Sequence, residues 1–147
     1  MTQKKQSKKK FTVILSHDVD FIDKSYHHFT KFYKTLSPYH LKTLFSKNNP
    51  YWNFDKIMEI ESKYSVKSTF FILNERSFSI AEPRRWQYTF GRYSINDARL
   101  VDKLRELSRN GWEIGVHGSY YSFNNFNLIK KEKNELEKII GTPVRGI

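Results

Sequence analysis

The chain contains no cysteine. That excludes a disulfide framework and any thiolate-held metal or cluster. His, Asp and Glu remain as the metal donors, a set that suits hard cations or zinc in a nitrogen–oxygen site. Proline and glycine are scarce, at four and six residues, which excludes collagen-like or linker-like composition. No apolar stretch approaches the roughly 20 residues that span a bilayer. The run FTVIL, behind the first lysines, is too short for the core of a secretory signal. A cytoplasmic location with no membrane partner is therefore expected.

Acidic residues are also few. Fifteen Asp and Glu face 26 Lys and Arg, a formal net charge of +11. Part of this excess is local: KKQSKKK, from Lys4 to Lys10, holds five lysines. Such a run can meet nucleic acid or an anionic surface. It lacks the interleaved aromatics that stack on bases, so residues 1–10 read as a basic, disordered, solvated tail, with nucleic acid disfavoured as a partner.

What the chain does have is a length of 147 residues, 38% hydrophobic and 16% aromatic content, enough for one domain with a core. FTVILS (Phe11–Ser16) is a continuous apolar, β-branched run, as in a strand covered on both faces. An excursion rich in aromatics and lysine follows, punctuated by Pro38 and Pro50, with short helical turns expected. Residues 53–64 place Phe54, Ile57, Met58, Glu61 and Tyr64 at helical spacing, with Asn53 positioned as a cap. Residues 66–73 form a second strand, and the stretch after them reads as a polar loop. Residues 96–110 form the clearest helix, with Asn96 as cap, a stripe of Leu100, Val101, Leu104 and Leu107, and Gly111 at the C-terminal end. Residues 112–117 form a third strand, residues 127–140 a third helix ending at Gly141, and VRGI the start of a fourth strand. Alternation of this kind implies an α/β fold with parallel strands, a sheet or barrel. A complete (β/α) barrel takes about 250 residues, so the chain corresponds to the N-terminal part of one.

In parallel α/β folds, reactive groups collect at the C-terminal ends of strands. The first strand runs into SHDVD and the third into VHGSYYS. Residues two apart share a face, so Asp18 and Asp20 point one way and His17 the other. Two carboxylates this close are not comfortably charged together unless a cation or water separates them. One on a metal and one acting as base satisfies both, and His117 could add an imidazole. His17 reads as a hydrogen-bonding support. His27, His28 and His40 read as surface residues, and Arg84, Arg85 and Arg92 as part of a solvated loop. Aromatic residues such as those of YYSFNNF can stack on sugar rings, though packing is the simpler role for most of them.

Together ILSHDVD, KSTFFIL and NGWEIGVHGSY resemble the polysaccharide deacetylase family, the NodB homology domain of carbohydrate esterases, in its His-Asp-Val-Asp subset. The resemblance covers about residues 11–147. It implies a metal-dependent hydrolase on a distorted (β/α) barrel that removes acetyl groups from an N- or O-acetylated glycan or sugar precursor. It assigns the general base to Asp18, metal ligation to Asp20 and His117, and zinc as the usual ion. A backbone N–H near Tyr120 or Tyr121 would assist an oxyanion, which makes these two the candidate substrate-binding residues. The chain departs from the family pattern in three ways. Tyr121 stands where the family has its second His, Val19 separates the aspartates, and the family's later Arg and His motifs have no counterpart here.

Two other readings stay open. Without those motifs, the chain could be an inactive, truncated deacetylase-like fragment or a basic binding module, with exposed strand edges favouring self-association. An apolar strand followed by DxD also opens the haloacid-dehalogenase-type phosphatases, but that pattern calls for Thr where this chain has Ile22.

Overall fold

The computed structural model describes residues 11–24, 31–44, 46–75 and 80–146. The basic tail, His27 and His28 lie outside the described residues. Three parallel strands form an open sheet in the order β1 (Ser16–Val19), β2 (Thr69–Leu73), β3 (Glu113–His117). Between β1 and β2 lie helices α1 (Pro38–Leu44) and α2 (Phe54–Lys63). Between β2 and β3 lie a 3-10 turn (Pro83–Arg85), the short helix α3 (Trp86–Thr89) and α4 (Ala98–Arg109). Helix α5 (Phe126–Ile140) follows β3.

The register sets Ser16, Thr69 and Glu113 side by side, then His17, Phe70 and Ile114, then Asp18, Phe71 and Gly115, then Val19, Ile72 and Val116. Alternation sends the second and fourth of these rows to one face. There Val19, Phe70, Ile72, Ile114 and Val116 join Phe54 of α2, Leu100, Leu104 and Leu107 of α4, and Leu136 of α5 in one buried core. The three α4 leucines recur at i, i+4 and i+7, so they fall on one helix face, and all are fully buried. Each is worth about 1.5–3 kcal/mol relative to exposure. The opposite face carries Ser16, Asp18, Thr69, Phe71, Glu113 and Gly115. Thr69 Oγ1 donates to Glu113 Oε2 at 2.7 Å. A Cβ at position 115 would stand 2.5 Å from Phe71 Cδ1, so glycine is what lets that ring lie across β3.

The helix ends follow local chemistry. Asp97, rather than Asn96, caps α4, accepting from the N–H groups of Arg99 and Leu100 at 3.0 and 3.3 Å. A carboxylate at this position also opposes the positive end of the helix dipole. Asn125 caps α5, accepting from Leu128 N–H at 3.1 Å, so that helix begins one residue before the expected 127. Gly141, at φ 74°, ends it in the left-handed region. Asn53 precedes α2 without a capping side-chain bond.

The expectation of a strand over Phe11–Ser16, covered on both faces, is corrected. Phe11, Val13 and Ile14 are largely exposed, and the ladder begins at Ser16. The reason is packing: β1 takes its register from His17 and Val19, which match Phe70 and Ile72 on the helix side. From the run before it, the Leu15 carbonyl reaches β2, accepting from Thr69 N–H at 3.0 Å. The loop after β2 is also more ordered than expected, since it contains the 3-10 turn and α3. At the far edge, Val116 N–H donates to Gly146 O at 3.0 Å. The segment read as a fourth strand thus lies against β3 without forming a ladder among the described residues.

Beneath the N-terminal end of the sheet, Glu61 ties the layers together. Its Oε1 lies 2.9 Å from His17 Nε2, and its Oε2 accepts from Ser68 N–H and Oγ at 3.0 Å and from Trp112 Nε1 at 2.6 Å. One buried carboxylate of α2 therefore binds β1 and the entries to β2 and β3. His17 fills the supporting role expected of it.

Candidate functional site

At the C-terminal end of the sheet, β1 and β2 are held apart by a side chain. The Thr69 N–H to Leu15 carbonyl bond sets a two-residue repeat, which two steps on would pair Leu73 N–H with the Val19 carbonyl. The Tyr93 hydroxyl stands there instead, accepting from Leu73 N–H at 3.0 Å and donating to Val19 O at 2.5 Å. Burial pushes the Tyr93 phenol well above its usual range, so it remains an O–H donor. The strands consequently part where β1 gives way to Asp20.

Arg92, beside this tyrosine, closes the same corner. Its Nη1 donates to the Asp20 backbone carbonyl at 3.0 Å and to Asp20 Oδ1 at 3.1 Å, and its guanidinium lies over the Phe21 ring at 4.4 Å. Asp20 is thus positioned by a cation from the loop after β2. Asp18, two residues earlier on the uncovered face, is exposed and has no hydrogen-bond or ion-pair partner among the described residues. Two carboxylates that the sequence presents as a pair are therefore divided: one is neutralised by Arg92 and the other is open.

His117 ends β3 on the same face as Asp18, at the level where β1 would carry residue 20. Its Nδ1 lies 3.2 Å from the Gly118 carbonyl. A carbonyl only accepts, so Nδ1 is the donor in this contact, and Nε2 has no partner among the described residues.

The loop after β3 is fixed by two buried carboxylates. Glu132 of α5 accepts from Ser119 N–H at 3.2 Å and from Ser119 Oγ. Glu75, just past β2, accepts from Tyr120 N–H at 2.9 Å and from Arg85 Nη2 at 2.9 Å. The Arg85 guanidinium also covers the Tyr121 ring at 4.7 Å. Tyr88 of α3 stacks on Tyr120 at a centroid distance of 3.6 Å and meets Tyr121 edge-on at 6.1 Å. A hydrogen bond with Tyr120, helped by partial desolvation, pushes the Tyr88 phenol up to about 12. The reading of Arg85 and Arg92 as solvated loop residues is corrected, since both are largely withdrawn from solvent and each holds a carboxylate.

The arrangement also divides the two tyrosines proposed for substrate. The Tyr120 N–H is committed to Glu75, so of the two backbone donors only that of Tyr121 has no partner among the described residues. Both rings are exposed at the rim and present an aromatic wall.

The donors near the mouth are of a kind that holds a divalent ion, and Nε2 of His117 has no partner among the described residues. They do not, however, make a closed centre. Among the described residues no three His, Asp or Glu side chains gather around one point. One oxygen of Asp20 is taken by Arg92, and Tyr121 offers no imidazole. Sequence reasoning placed Asp18, Asp20 and His117 at strand ends but missed Arg85, Arg92, Tyr93, Glu75 and Glu132. Their partners lie 10 to 74 positions away along the chain, and no local pattern marks such pairs. No helix among the described residues is long and apolar enough to cross a membrane. Comparison with protein-family models, curated proteins and solved structures gives no match for this chain.

Proposed function

We propose that the chain is a polysaccharide deacetylase-like hydrolase that removes acetyl groups from an N- or O-acetylated glycan, with its sheet forming the N-terminal part of a distorted (β/α) barrel. The observation that carries this reading is that Asp18, a carboxylate with no partner among the described residues, and the His117 imidazole lie on one face of the sheet toward the C-terminal ends of parallel strands. That is where α/β folds do their chemistry. The resemblance of ILSHDVD, STFFIL and NGWEIGVHGSY to the family points to the same face.

In this reading Asp18 is the general base that takes the proton from the attacking water. A group with no competing cation is suited to that task, and a positioned base typically contributes about 10²–10⁴-fold. Arg92 holds Asp20 in place, and Tyr120 and Tyr121 provide an apolar wall for a sugar ring. The family's divalent ion, zinc, would bind at Asp20 and His117. The described donors do not complete that centre, so the cofactor is part of the proposal to be tested. Arg84, exposed on the 3-10 turn after β2, is compatible with a carbohydrate substrate that carries acidic groups.

The test is acetate release from a panel of N- and O-acetylated oligosaccharides, with and without added zinc, for the wild type and Asp18→Asn. The expected result is zinc-stimulated release that falls by at least about 10²-fold in the variant. No release from any substrate with any divalent ion, or full activity in Asp18→Asn, would overturn the reading.

A further inference from the structure

Between α4 and α5, two arginines are oriented by backbone carbonyls. Arg105 Nε donates to the Ile139 carbonyl at 2.9 Å, and Arg109 Nε donates to the Arg105 carbonyl at 3.2 Å. Their Nη groups, like Lys138 Nζ, have no partner among the described residues. All three residues line one cavity of about 270 Å³, whose other walls are Ile139, Ile140 and Gly141. No carboxylate stands among these lining residues. A cation near a helix C-terminus complements the helix dipole, and the two Nε bonds fill that role. It does not account for three further cationic groups around one concavity.

This cavity adjoins a second, of about 540 Å³, along a shared wall of Arg105, Lys138 and Ile139. The second has a different chemistry. Asn74, Ser94, Asn96 and Glu135 offer it amide, hydroxyl and carboxylate groups, and Ile95 and Val101 are apolar walls. One end of the groove therefore collects cations, and the other collects groups that exchange hydrogen bonds with hydroxyls. We propose that the groove binds a phosphorylated sugar, with its phosphate held by Arg105, Arg109 and Lys138 and its ring lying toward Asn96 and Glu135. A phosphomonoester carries three terminal oxygens and nearly two negative charges at neutral pH. It can engage two guanidinium forks and an ammonium together, whereas a carboxylate is satisfied by one fork. A nucleic-acid backbone calls for cations spread along a track, and these three meet at a single cavity. Apolar walls with a few placed polar groups are the usual make-up of a small-molecule site. Asp18, Asp20 and His117 line neither cavity, so the inference is independent of the hydrolase reading.

Calorimetric titration of the full chain at low ionic strength tests it, with glucose-6-phosphate, inorganic phosphate and glucose as probes. Saturable binding of the sugar phosphate is expected, with weaker binding of inorganic phosphate and none of glucose. Lys138→Gln and Arg109→Lys should each weaken the sugar phosphate about tenfold. Arg109→Lys keeps the charge and loses the fork, so its effect reports geometry. Lys56→Gln, at an exposed lysine of α2 outside the groove, should change nothing. Asn96→Ala should weaken the sugar phosphate several-fold and leave inorganic phosphate unaffected. Asp97 caps α4, so that variant keeps the helix start. No saturable binding at millimolar sugar phosphate, equal loss in Lys56→Gln, or binding unmoved by Lys138→Gln and Arg109→Lys would each overturn the site. Equal affinity for inorganic phosphate and the sugar phosphate would overturn the role of the hydroxyl-binding end. A short oligonucleotide that binds more tightly through the same residues would overturn the sugar as occupant.

Discussion

At the N-terminal end of the sheet, a single carboxylate, Glu61, is enclosed by His17, Ser68 and Trp112 and is buried. At the C-terminal end, Asp20 shares one guanidinium and Asp18 meets no partner among the described residues. The same sheet thus satisfies its acidic groups fully at one end and incompletely at the other. Buried polar groups that are fully bonded fix a structure. Groups left open toward solvent cost little stability and remain available for chemistry. The contrast separates residues that hold the sheet together from residues the sheet merely presents.

Substitution at the enclosed end is the strongest way to break this contrast. Glu61→Ala leaves the indole N–H, the Ser68 N–H and His17 without their acceptor, and is expected to cost about 3–5 kcal/mol in urea unfolding. The same residue sets an acid dependence. Burial alone would raise its pKa, but the hydrogen bonds from His17, Trp112 and Ser68 outweigh that and hold it below its ordinary value of 4.5. A depressed carboxylate stabilises the fold above the ordinary carboxylate range, and that contribution is lost as pH falls through the folded-state value. The wild type should therefore lose stability with acid more steeply than Glu61→Gln, measured by thermal midpoints between neutral pH and about pH 3.

Tyr93→Phe lies between the two ends in effect. It removes the hydroxyl that serves both Leu73 N–H and the Val19 carbonyl, at an expected cost of about 1–2 kcal/mol. Denaturant midpoints would show this, and a cost below about 0.3 kcal/mol would mean that the strands close to re-form the direct bond. Asp18→Asn should have the smallest effect, within about 0.5 kcal/mol of the wild type, because nothing in the fold depends on that charge. A large loss there would erase the distinction between the two ends. A small loss of stability with a large loss of acetate release would sharpen it.

Much of the scaffold was legible because it is written in local patterns. The α4 leucines, Gly111 and Gly141 at helix ends, and the β-branched residues of β2 each act within a few positions. The start of β1 was not legible, because Phe11–Leu15 is as apolar as a buried strand, and only the match of His17 and Val19 to β2 shows where the ladder begins. At the site, alternation placed His17 on one face and Asp18 on the other. The pairing of Arg92 with Asp20, and of Arg85 with Glu75, joins segments whose encounter depends on the whole fold. Charge alone left both arginines indistinguishable from solvated ones.

The hydroxyl of Tyr93 has a further consequence for solvent exchange. Elsewhere in the ladder an amide proton is released only when two strands separate, an event governed by the core. The Leu73 amide is guarded by a side chain from the loop that also carries Arg92. Its proton can exchange whenever that loop lifts, with the sheet still closed. A single amide thus serves as a clock for the loop that holds Asp20, running independently of the unfolding of the molecule that contains it.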